Sequence, residues 1–201
     1  MRDIDSIVIT DANFFLREPR GDIFIFPFGK INTKILNHLF KTLRTFYAGL
    51  NYQIGIKVEK SLLLDEAYKT GEFYDSDYFI GVLNFINALR NNPEKINIGI
   101  TEVGVFNGEI DHPRFGVGNH RGGIISTYRF KLEKDSKEKL KERVGKEAIK
   151  VLSFAYGLRH CQKEECLLSY HPTVESLDRS LRLCKGCKRE FTAAILEYHC
   201  L

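Results

Sequence analysis

The sequence predicts an α/β domain built on a mixed, mostly parallel sheet of about four to five strands with helices packed on it. Three observations carry this. Short apolar segments bounded by Gly, Pro or Asn alternate with longer segments whose apolar residues recur at helical spacing, which gives the order strand, helix, strand, helix. With 201 residues, 43% of them apolar and 28% charged, the chain has the length and composition of one folded unit with a buried core. No internal repeat, Pro- or Ser-rich linker or low-complexity tract divides it.

Residues 1–21 read as an irregular N-terminal extension ending in Arg17-Glu18-Pro19-Arg20-Gly21, and residues 22–201 as the domain. Asp22 to Gly29 is a buried strand closed by Pro27 and Gly29. A helix follows from about Asn32 to Phe46, with Ile35, Leu36, Leu39, Phe40 and Leu43 on one face. Tyr52 to Val58 alternates as a second strand. Asp75 to Leu89 repeats the helical pattern through Phe79, Val82, Leu83, Phe85, Ile86 and Leu89 and stops at Asn91-Asn92-Pro93.

Ile96 to Val105 and Gly123 to Phe130 read as two further strands joined by a Gly-rich stretch. Asp135 or Ser136 caps a long helix, about 136–156, which Gly157 ends. Its residues Leu140, Val144, Ala148, Val151, Leu152 and Ala155 form one face, which packs on the sheet, while Arg143, Glu147, Lys150 and Phe154 project from the opposite side. Within that domain residues 22–158 are then the α/β part and residues 159–190 a C-terminal loop region that carries four cysteines.

A formal net charge of +4 is too mild to imply nucleic acid. The longest apolar runs fall far short of the roughly 20 residues of a membrane span, so a soluble protein without membrane partners is expected. The start Met-Arg-Asp-Ile-Asp has no apolar signal region, and the expected compartment is the cytosol.

All five cysteines lie at the C-terminal end. Cys161-x4-Cys166, seventeen residues and then Cys184-x2-Cys187 form two chelate pairs on one loop, the spacing of a tetrahedral zinc site with thiolate ligands. Four buried free thiols are the competing reading. Cys200 falls outside the pattern and reads as a terminal free thiol. Arg159, Lys163, Arg182, Lys185, Lys188 and Arg189 surround the cysteines, as counter-charge on a solvated surface or, in the alternative, as part of a nucleic-acid-binding zinc module.

The segment Lys146 to Cys161, continued by Cys166, Leu168 and Cys184-x-x-Cys187, resembles the archaemetzincins, zinc metallopeptidases with the signature HExxHxxGxxHC-x4-C-x-M-x17-C-x-x-C. Asp22 to Gly29, Leu83-Asn84-Phe85, Gly99 to Val103 and the strand ending Thr127-Tyr128-Arg129 are also similar to that family, so the likeness spans roughly residues 22–190. It implies a metzincin-like fold and a cleft beside the long helix.

Aligned on His160-Cys161, the signature places Lys150 at the first ligand His, Val151 at the catalytic Glu and Phe154 at the second ligand His. Only Gly157 and His160 remain of the catalytic half. Leu168 stands for the family's Met, as a chain whose single methionine is Met1 requires, and the last spacer is two residues short. Three His ligands and one open position for water, with a Glu as general base, are what zinc hydrolysis needs. A Lys, protonated below about pH 10.4, repels a cation, Phe has no lone pair and Val is no base.

The resemblance therefore implies a catalytically silent relative, with one structural zinc on Cys161, Cys166, Cys184 and Cys187 and no catalytic ion. Its former cleft would be open to an extended peptide along the strand Gly123 to Phe130. Phe154 is expected to fill the cleft floor, with Lys150 reaching for solvent or a carboxylate. The second reading is an active zinc peptidase with unorthodox ligands drawn from Lys150, His112, His120 or His171.

Overall fold

The computed structural model describes residues 23–199 apart from 53, 92–94, 121 and 181, with residues 109–112 and 199 described by backbone alone. The expected extension, Cys200 and the side chain of His112 lie outside that description. Five strands, β1 (Ile23–Phe28), β2 (Ile56–Val58), β5 (Ile96–Thr101), β8 (Gly116–Asn119) and β9 (Gly122–Ser126), form the main sheet in the order β2-β1-β5-β9-β8. The first four in that order run parallel, and β8 closes the edge antiparallel to β9.

The helices follow the predicted order: α1 (Thr33–Ala48), α2 (Ser76–Leu89), a short α3 (Tyr128–Leu132), the long α4 (Lys137–Ala155), α5 (Val174–Arg179) and α6 (Lys185–His199). Asn32, Asp75 and Ser136 cap α1, α2 and α4 by accepting from the backbone N–H of Lys34, Asp77 and Lys139. Side chains alternate along β1 and separate two cores. Ile23 and Ile25 join α1 and α4 on one face, and Phe24, Phe26 and Phe28 join Phe79 and Leu83 of α2 on the other.

Four readings of the sequence need correction. Ile96 to Val105 is two strands, because the chain turns after Thr101, where Val103 N–H donates to Thr101 Oγ1. The second of these, β6 (Gly104–Asn107), enters a separate four-stranded sheet ordered β3-β4-β6-β7, with β3 (Lys69–Thr70), β4 (Phe73–Asp75) and β7 (Glu109–Arg114). The Gly-rich connection is not a loop, since it carries β7 and β8.

The strand Gly123 to Phe130 ends at Ser126. There Ser126 Oγ accepts from Tyr128 N–H and the chain enters α3, whose Phe130 stacks on Phe115 at 4.8 Å. The C-terminal region is not a loop either. Helix α6 buries Phe191 and Ile195 in the main core, with Phe191 edge-on to Phe46 and Tyr156.

Candidate functional site

Helix α4 lies against β8 and β9 at a distance that only glycine permits. A Cβ on Gly118 would come within 3.0 Å of the Val151 carbonyl and 3.2 Å of Phe154 Cβ, and one on Gly116 within 2.8 Å of Glu147 Oε1. Gly157, at φ +85°, then ends the helix with Leu158 N–H donating to Ser153 O and Gly157 N–H to Phe154 O. This turn brings the chain back, so that the exposed His160 ring stands 4.8 Å from Phe154, edge to face, and 6.4 Å from Tyr170.

Between β8, this turn and the segment Tyr170–Pro172 lies an open cavity of about 950 Å³. Lys150, Phe154 and His160 all line it, whereas Val151 is buried in the core between α4 and the sheet. Phe154 is half-buried against Gly118 and forms a wall. It does not fill the cavity, contrary to the expected filling of the cleft floor, since open space remains beside it.

Lys150 does not reach solvent: it is 6% exposed and within electrostatic range of Glu147, its neighbour one turn earlier. Burial raises the Glu147 carboxyl above the usual range, the Lys150 charge offsetting only part of this, and its Oε2 has no hydrogen-bond partner. His171, also on the cavity wall, is pushed down to about 4, first by burial and then by the Lys150 charge; its Nε2 lies 3.3 Å from both Ser169 Oγ and Leu167 O. His160 Nδ1 meets Leu168 O at 3.1 Å. Among the described residues, no group of three ligand-type side chains converges in this cavity.

Sequence reasoning missed most of the other wall: Arg114 and Arg129, in segments read as loop and strand, and Tyr170, in the cysteine region. Arg129 donates to Pro113 O and Pro172 O and lies 4.1 Å over Phe115, and Arg114 donates to Tyr170 Oη at 3.4 Å. The one available signal was the apolar–basic mixture of 113–130, which periodicity alone cannot place.

The four predicted cysteines do converge. Their sulfurs all lie within 4.8 Å of one another, with Cys166 and Cys187 buried. Cys161 N–H donates to Leu168 O and Cys166 N–H to Lys163 O, which folds the x4 spacing into a tight turn. Lys188 N–H donates to Cys184 O, so Cys184 caps α6 and Cys187 sits in its first turn.

The Cys187 backbone N–H holds the Cys184 thiol down to about 7, and Cys184 N–H in turn faces Cys166 Sγ at 3.4 Å. Burial pushes the Cys166 and Cys187 thiols up. Cys161 and Cys184 sulfurs are 3.9 Å apart, close to the roughly 3.8 Å that a tetrahedron of Zn–S bonds of about 2.3 Å imposes. The donor set therefore fits zinc. The six basic residues around it are all exposed.

A parallel sheet with an antiparallel edge strand over a helix whose last turns line a cleft defines a metzincin-like α/β protein. The profile of Peptidase family M54 matches residues 82–193, and the chain belongs to that family, the archaemetzincins. It is 28% identical to an archaemetzincin of Pyrococcus furiosus over 85% of this chain and 92% of that one. With one of Pyrococcus abyssi it shares 30% over 85% and 94%.

The fold is similar to crystal structures of archaemetzincins from Methanopyrus kandleri (TM-score 0.68, 20% identity, 89% and 97% covered) and Archaeoglobus fulgidus (0.67, 20%, 84% and 99%), the latter complexed with malonate. No described helix is long and apolar enough to cross a membrane.

Proposed function

We propose that this chain is an archaemetzincin without catalytic zinc or peptidase activity, which keeps one structural zinc on Cys161, Cys166, Cys184 and Cys187 and uses the former cleft to bind. One observation carries the reading: Lys150, Phe154 and His160, which the aligned signature sets at the family's three ligand positions, line one cavity, yet of the three only His160 is a residue type that the family's motif uses as a ligand. The general base is missing as well, since Val151 is packed into the core.

The four-thiolate zinc would tie the turn at Cys161–Cys166 to the start of α6, supplying folding free energy rather than chemistry. A reducing, cytosolic setting accords with that role. The strand available to an extended peptide is β8, not the segment Gly123 to Phe130 expected from the sequence, because β9 is paired on both sides. With the six basic residues exposed and interleaved with acids, the nucleic-acid reading has no further support.

The test is zinc per chain in protein purified without added metal, together with a peptidase assay. One zinc and no chelator-sensitive hydrolysis are expected. Two zincs, or hydrolysis that survives repurification, would overturn the reading in favour of unorthodox ligands. The K150H/F154H variant restores the two ligand types beside His160 and should take up a second zinc.

A further inference from the structure

Helix α4 buries two lysines, and their surroundings are opposite. Lys146 is 8% exposed and fully engaged: its Nζ donates to Leu177 O and Asp178 O and pairs with Glu142 Oε1 at 2.9 Å. Lys150, one turn later and 6% exposed, makes no hydrogen bond or ion pair among the described residues. Its side chain lines the open cavity of about 950 Å³ instead. A buried amine without an acceptor is reactive or costly in either of its forms, since an ammonium there is unpaired and a neutral amine keeps an unused lone pair.

The cavity wall beside Lys150 is aromatic. Phe154 follows Lys150 at i+4 on the same helix face, the His160 ring stands edge-on to Phe154 at 4.8 Å, and Tyr170 stands edge-on to His160 at 6.4 Å. His160 is exposed and Tyr170 is 62% exposed, so both rings remain open to a ligand. Such a wall suits an aromatic group, which stacks on it or meets it edge to face.

We propose that Lys150 binds aromatic aldehydes or ketones covalently, as an imine, with Phe154, His160 and Tyr170 holding the ring. The lone pair of neutral Nζ adds to the carbonyl carbon. The carbonyl oxygen then takes both amine hydrogens and leaves as water, so that a C=N bond replaces C=O with no change of oxidation state. If Nζ starts protonated, its extra proton passes to solvent and a buried charge without a partner is removed; if it starts neutral, the lone pair attacks directly. Both starting states lead to the same product. This rests on the reading of a cleft without catalytic zinc, because a metal bound to Lys150 would occupy that lone pair.

The test incubates the protein, its zinc counted, near neutral pH with benzaldehyde and sodium cyanoborohydride. The hydride reduces the imine to a stable benzyl amine, and the labelled lysines are located by mass spectrometry after digestion. Lys150 should be labelled at least tenfold faster than Lys146 and than the exposed Lys185 and Lys188. The preference should disappear in the urea-unfolded chain, which has the same residues without the cavity. It should also fall at least threefold when acetaldehyde replaces benzaldehyde, and in Tyr170→Ala, which removes an exposed ring and leaves the core intact.

Labelling of Lys150 no faster than of the exposed lysines, a preference that survives unfolding, or one indifferent to the aldehyde's ring or to Tyr170 would each overturn the proposal. Two zincs per chain with Lys150 unlabelled would instead overturn the reading it rests on.

Discussion

His171 shows how a single burial decides a protonation state. Its ring is neutral in the folded protein because burial and the Lys150 charge disfavour the imidazolium, whereas in the unfolded chain it titrates near 6.5. The unfolded state therefore binds the extra proton first, and stability present above about pH 6.5 is lost as the pH falls from there toward about 4. We expect the melting temperature to drop across that window and the slope to flatten in His171→Gln, as thermal melts at a series of pH values would show. An unchanged slope would mean that His171 is protonated in the fold.

Glu147 works the opposite way. Its raised carboxyl pKa means that stability present at low pH is lost as the pH rises above the unfolded value of about 4.5. Glu147→Gln should accordingly raise the melting temperature at pH 7 relative to pH 4.

Between elements, α4 is tied to α5 by two cationic side chains, Lys146, which donates to Leu177 O and Asp178 O, and Arg143. Arg143, 2% exposed, donates to Asp178 at 2.8 and 2.7 Å and to Asp135 at 2.7 Å, and it holds the Asp178 carboxyl below the usual range. Asp178→Asn leaves a buried cation with one partner fewer and should cost about 2 kcal/mol in a denaturant titration, in line with hydrogen bonds to charged groups.

The approach of α4 to β8 has its own test. Gly118→Ala puts a methyl 3.0 Å from a backbone oxygen that cannot move away alone, so about 1–3 kcal/mol should be lost. A neutral effect would show that the helix can back away from the sheet. Helix α6 is anchored by Phe191, which is fully buried, and Phe191→Ala should cost about 3–5 kcal/mol.

At the scale of the molecule, the four sulfurs bring together the turn after α4 and the N-terminus of α6. If zinc holds them, Cys187→Ser and prolonged chelation should both lower the melting temperature and expose the apolar face of α6, detectable as increased binding of a hydrophobic dye. Identical melts with and without chelator, after metal analysis shows removal, would exclude a structural ion.

Much of this molecule was determined by its sequence alone. The helices α1, α2 and α4, the first strand and the convergence of the cysteines follow from periods, caps and spacings that act over a few residues. Tertiary structure decided what no local pattern carries. It placed β6 in a second sheet, made β8 rather than β9 the free edge and turned residues 128–132 into a helix. It also left a cavity where Phe154 was expected to close one, and set Arg114 and Arg129 beside Lys150. Strand partners and cavity walls depend on segments far apart in the chain, and short glycine-rich strands have no amphipathic period to announce them. Their positions are set by which backbones can approach, a property of the packed fold.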